Sequence, residues 1–219
     1  MNTMTLPMQQ ALDHPCDGTI QHQICSMIDN LITSLPNPEQ LTGEERRGII
    51  ARYTAVLEGN FIYWMTATLL AVHSEDARPI LLENLHEEIR DAHPAMMRRF
   101  AIAANAFPTE ADALAVNDDL TNLRLFLGRL SGVQSLLTMA FFEGFIQRFM
   151  GYLAALAMVQ GSEDMEYTDV HGVCDIAHTA GLFKAYEVES VINPLDPEKD
   201  PLEGAYLLEA LLRTIVFNG

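Results

Sequence analysis

Apolar residues recur at three- and four-residue intervals along nearly the whole 219-residue chain, and no segment alternates in the manner of a half-buried strand. Residues 19–35 (TIQHQICSMIDNLITSL) read as a first amphipathic helix, stopped by Pro36-Asn37-Pro38. Thr42, followed by Glu44 and Glu45, opens a second helix in N-cap fashion, which runs through Ile49, Ile50, Tyr53, Val56, Leu57 and Phe61 to about residue 72. A third begins between Ser74 and Asp76, either of which could cap it. With Asp76 as its cap, Pro79 falls in the first turn, where a missing N–H costs little. Pro94 breaks or bends this helix, and a short continuation ends at Pro108.

Asn117-Asp118-Asp119 predicts the cap of a helix over 120–130, and a long apolar helix follows over 132–160. Asp164 and Glu166, or Thr168 and Asp169, open another that reaches about residue 189. After the loop NPLDPEKDP a closing helix spans 202–217. There is no internal repeat and no linker. The pattern predicts an all-α single domain, residues 1–219, of seven or eight helices, with 1–18 as a flexible N-terminal segment.

Charge narrows the partners. Thirteen Lys and Arg face thirty Asp and Glu, a formal net charge of −17. Phosphate binding needs a basic face, so a nucleic-acid role is opposed, and docking on an anionic membrane is disfavoured for the same reason. Three scattered cysteines (Cys16, Cys25, Cys174) make no disulfide scaffold, and the N-terminus lacks a secretory pattern, which fits a reducing cytoplasm. The longest apolar run, 136–158, carries Glu143, Gln147 and Arg148 and therefore reads as a buried helix of a soluble protein.

The strongest chemical signal is His171-x3-Asp175-x2-His178. On a helix these offsets place three side chains within roughly 60° of one another, a ready ligand set for a transition metal. Glu143 adds to it, because a carboxylate in the middle of LLTMAFFEGFIQRFM is expensive to bury unless a cation neutralises it. Arg148 or a partner helix is the plainer neutraliser. Glu58 in YTAVLEGNFIYWM poses the same question, although Gly59 and Asn60 could set it on a wetter face. The third helix supplies Glu87, Glu88 and His93, with His86 as a surface residue held in reserve. His93 precedes Pro94, which biases it out of the α region and allows it to be re-aimed.

The order ENLHEE…HPAMMRRF, a lone Glu in an apolar helix, then His-x3-Asp-x2-His resembles the haem-oxygenase-like diiron oxidases and oxygenases, a group of iron-containing redox enzymes, from about Glu58 to Glu189. The resemblance implies a seven-helix bundle whose two iron ions cycle between Fe(II) and Fe(III), with O2 as co-substrate; the donor types also suit manganese. It implies His171, Asp175 and His178 as ligands from the late helix, Glu143 from the long apolar helix, and Glu88 and His93 as the early pair. Glu58 would be the additional carboxylate that some members use, and Glu87 against Glu88 stays open. It further implies a small, amino-acid-derived substrate that undergoes N-oxygenation or oxidative C–C cleavage in a biosynthetic pathway. A homodimer is compatible with it. Tyr53, Tyr63, Trp64, Gln147, Arg148 and Tyr152 are spaced to line or support the cavity.

Two other readings keep the helices but not the metal. A thiaminase-like hydrolase would use Cys174 as nucleophile with His171 or His178 as base, and a cofactorless oxidase would share the same shape. A non-enzymatic helical interaction protein would treat the buried acids and histidines as neutralised core groups.

Overall fold

The computed structural model describes residues 19–217, without the side chains of residues 173 and 174, and is all-helical over that span. The expected flexible segment 1–18 lies outside the described residues. Among the described residues nine helices follow one another: α1 (Ile20–Thr33), α2 (Gly43–Ala71), α3 (Arg78–Arg90), α4 (His93–Ala103), α5 (Glu110–Ala115), α6 (Asn117–Leu127), α7 (Gly132–Val159), α8 (Glu166–Ile192) and α9 (Glu203–Phe217). None of them is long and apolar enough to cross a membrane.

Local chemistry accounts for most boundaries. Thr19 caps α1 by accepting from the His22 amide, and Thr42 with Glu45 closes a reciprocal capping box on α2. Of the two residues offered as caps of the third helix, Ser74 takes that role and Asp76 does not. Ser74 Oγ accepts from the amides of Asp76 and Ala77, and the helix starts at Arg78 with Pro79 in its first turn. Asn117-Asp118-Asp119 is likewise not a cap but the first turn of α6, where acids suit the helix dipole. The six-residue α5 is an addition, built on a capping box between Thr109 and Asp112, whose carboxylate also takes Arg47 from α2.

The long helix α7 is the axis of the bundle. Its apolar residues circle it completely, so it is buried on nearly every side, packed along α8 and against α2, α9 and α1. Phe141, Phe142, Phe145 and Phe149 are at most 1% exposed; Phe142 meets Trp64 and Phe149 meets Tyr53, both of α2. Burying each such ring is worth about 1.5–3 kcal/mol. A polar link fixes α8 to the turn that leads into α3. Glu189, fully buried near the end of α8, accepts from the amides of His73 and Ser74 in the turn ahead of α3. Gly132 makes room for that carboxylate, since a Cβ there would sit 2.5 Å from Glu189 Oε1.

Two departures from regular helix shape the centre. Ala92 takes a left-handed conformation (φ 56°), so α3 ends at Arg90 and His93 becomes the first residue of a new helix. The re-aiming expected at His93 is thus made one residue earlier. Inside α2, Glu58 (ψ 98°) and Gly59 (φ 87°) leave the helical region. Asn60 repairs this break: its Nδ2 donates to the Val56 carbonyl and its Oδ1 accepts from Arg124.

Candidate metal centre

Helix α8 turns His171, Asp175 and His178 inward, at 5%, 1% and 5% exposure. They do not surround one point. His171 joins Glu88 from α3 and His93 from α4, whereas Asp175 and His178 join Glu143 from α7. Each set offers three buried donor atoms that all lie within 4.8 Å of one another. Helix pitch explains the division: seven residues advance a helix by roughly 10 Å, too far for both histidines to reach one ion. The two sets face a common cavity bordered by Glu88, His93, Glu143, His171 and Asp175.

In the first set His93 Nδ1 lies 2.8 Å from Glu88 Oε1, and His171 Nε2 lies 3.9 Å from the same oxygen. His171 Nδ1 donates to the Tyr167 carbonyl at 2.9 Å, which leaves its Nε2 lone pair free to face the cavity. In the second set His178 Nδ1 stands 3.8 Å from both Glu143 Oε2 and Asp175 Oδ1. That is ion-pair range but beyond hydrogen-bond reach. Its Nε2 meets Glu87 Oε2 at 2.8 Å. The structure therefore separates the two adjacent glutamates: Glu88 enters the buried set, and Glu87 stands behind His178.

Burial raises the Glu143 carboxyl above its ordinary value, more than the neighbouring His178 lowers it. Burial pulls His178 down, but Glu143, Glu87 and Asp175 together outweigh it and lift the imidazole to about 9. His93 is also raised, because Glu88 outweighs desolvation, while desolvation leaves His171 lowered. Tyr53 and Tyr167, fully buried and joined hydroxyl to hydroxyl at 2.9 Å, are pushed well above the usual phenol range by burial.

Glu58 does not join either set. Its carboxylate pairs with Arg98 of α4 at the rim, with its side chain 30% exposed, because the break in α2 turns it away from the cavity. His86 is exposed, as the sequence suggested. Of the supporting residues, Tyr53 reaches Tyr167 beside the cavity and Trp64 packs edge-on against Phe142, but Tyr63 is exposed and Arg148 pairs with Asp29. The side chain of Cys174, on which a thiaminase-like reading depends, lies outside the described residues. Sequence reasoning missed Tyr167 and the apolar wall of Leu57, Phe61, Met97 and Ile146, whose helical spacing matches that of ordinary core.

The donor set fits divalent cations. Glu143 Oε1 and His178 Nδ1 are buried without a hydrogen-bond partner, and no Lys or Arg pairs with Glu88 or Glu143 among the described residues. Uncompensated buried carboxylates cost several kcal/mol each, which a bound cation offsets. Carboxylate and imidazole donors without thiolate suit iron or manganese. Compared with known proteins, the chain matches no family model and no curated sequence.

Proposed function

We propose that this chain is a non-haem dimetal oxidoreductase of the haem-oxygenase-like diiron type, holding one iron at Glu88–His93–His171 and another at Glu143–Asp175–His178. The observation that carries this reading is the convergence of two buried three-residue donor sets on one cavity. Bound between these residues, two Fe(II) ions would supply the electrons that reduce O2. Three carboxylates leave two divalent ions with one net positive charge, facing an otherwise apolar wall.

The chain's own residues set the conditions for that chemistry. The Tyr167 carbonyl fixes the ring of His171, and three donors per metal leave open positions for O2 and substrate. Leu57, Phe61, Met97 and Ile146 exclude water from the reacting atoms. The substrate in this reading is a small amino-acid-derived molecule that is N-oxygenated or cleaved at a C–C bond within a cytoplasmic biosynthetic pathway. Anaerobic Fe(II) reconstitution with metal counting tests the reading. Two irons per chain and O2 consumption are expected, and a His171→Ala/His178→Ala variant that kept both irons would overturn it.

A further inference from the structure

Glu87 belongs to neither donor set, yet its carboxylate lies 2.8 Å from His178 Nε2. The imidazole has carboxylates on both sides: Glu87 at Nε2, and Glu143 with Asp175 at Nδ1. A neutral imidazole carries one N–H and one lone pair. A carboxylate accepting from Nε2–H holds the proton there and leaves the lone pair on Nδ1, aimed at Glu143 and Asp175. Resting on the dimetal reading above, we propose that Glu87 is a positioning residue that locks His178 as the Nε2–H tautomer and so governs the Glu143–Asp175–His178 position alone.

Helix geometry makes this division of labour possible. Neighbours on a helix point roughly 100° apart, so Glu88 looks into the cavity while Glu87 reaches across to α8. Glu88 is buried, whereas the Glu87 side chain is 34% exposed. The His171 ring is held by a neutral carbonyl instead. One imidazole is backed by a dipole and the other by an ion, and an ionic partner raises the basicity of the ligand nitrogen. The two cation positions are therefore not equivalent, and only one of them answers to Glu87.

The test uses the full-length protein and Co(II), whose visible bands report coordination, with Zn(II) for NMR. Wild type is expected to take up two Co(II). Glu87→Ala is expected to bind one equivalent roughly 10- to 100-fold more weakly and the other unchanged. Glu87→Gln, whose amide oxygen still accepts from Nε2–H, is expected to recover most of the loss. In the Zn(II) form, long-range ¹H–¹⁵N spectra are expected to show His178 metal-bound at Nδ1 and protonated at Nε2. Equal weakening of both equivalents, no weakening, no recovery with Gln, or metal on Nε2 overturns the role of Glu87. Failure of wild type to bind any cation overturns the dimetal reading itself, which keeps the two failures distinct.

Discussion

Glu143 and His178 face each other at 3.8 Å in the middle of the bundle, too far apart to hydrogen-bond, with Oε1 of the one and Nδ1 of the other lacking any such partner. Their ion pair only partly offsets burial: desolvation raises the Glu143 carboxyl more than His178 lowers it, so an ion in the gap would stabilise what His178 alone does not. Without a cation the pair is a source of instability. Replacing a buried charge by a hydrophobic group of similar volume is often neutral or stabilising by about 1–4 kcal/mol. Glu143→Leu is accordingly expected to raise the melting temperature in EDTA by a few degrees, at about 2–4 °C per kcal/mol for a chain of this size. The same variant is expected to bind one Fe(II) instead of two. A lower melting temperature in EDTA would show that the metal-free carboxylate is already compensated.

The pH dependence of the metal-free protein follows from the same groups. His178 is raised from 6.5 to about 9 and His93 is raised as well, so the fold holds these protons more tightly than the unfolded chain does. Their contribution is fully present below about 6.5 and is lost as pH rises toward 9. Glu143, also raised, pushes in the same direction, because its ionisation is disfavoured in the fold. His171 is lowered and opposes them only on the acid side of 6.5. The melting temperature in EDTA is expected to fall between pH 6.5 and 9, by an amount on the order of 5 °C. Metal binding displaces the protons, so the Fe(II)-loaded protein is expected to show the opposite slope. Parallel slopes with and without metal would contradict this.

The spacing His171-x3-Asp175-x2-His178 placed three donors on one inward face, and Glu143 stood out as a carboxylate among phenylalanines. Both signals are local, which is why they were legible. The division of the trio between two donor sets was not, because it depends on where α3 and α4 end and begin relative to α8. Nothing at Ala92 announces a left-handed residue, and a helix read straight through His93 misplaces that ring. The break at Glu58 did carry a signal. Gly59 and Asn60 sit in mid-helix, and Gly at positive φ followed by an Asn that caps the preceding turn is how a helix is interrupted without stranding its carbonyls. The short helix α5 was hidden by its length, since six residues show no period.

That break separates Glu58 from the acids in the donor sets. Paired with Arg98 at the rim and partly exposed, it is expected to be dispensable for metal uptake. Glu58→Ala should retain two Fe(II) per chain and lose less than about 1 kcal/mol of stability, the usual worth of a pair in contact with water. Glu88→Ala should lose one iron. Metal analysis of the two variants side by side decides the matter, and loss of an iron in Glu58→Ala would restore Glu58 as a ligand.

Ala92 offers a test that touches no donor at all. Its φ of 56° places an L-residue where the Cβ crowds the following carbonyl, a cost of about 1–2 kcal/mol that glycine avoids. The conformation is useful because it ends α3 two residues after Glu88 and restarts the chain at His93, bringing the two side chains to 2.8 Å across five residues of sequence. On a continuous helix they would diverge by roughly 140°. Ala92→Gly is expected to relieve the crowding and raise the melting temperature by about 2 °C with the metal count unchanged, allowing for the extra freedom glycine gives the unfolded chain. Ala92→Val, which resists the left-handed region more strongly, is expected to favour a continued helix and pull His93 away from Glu88. It should therefore weaken binding of one Fe(II) and leave the other in place. Thermal melts in EDTA with metal counts on both variants check this, and equal metal content in Ala92→Val would mean that α8, rather than the turn at Ala92, holds His93 in position.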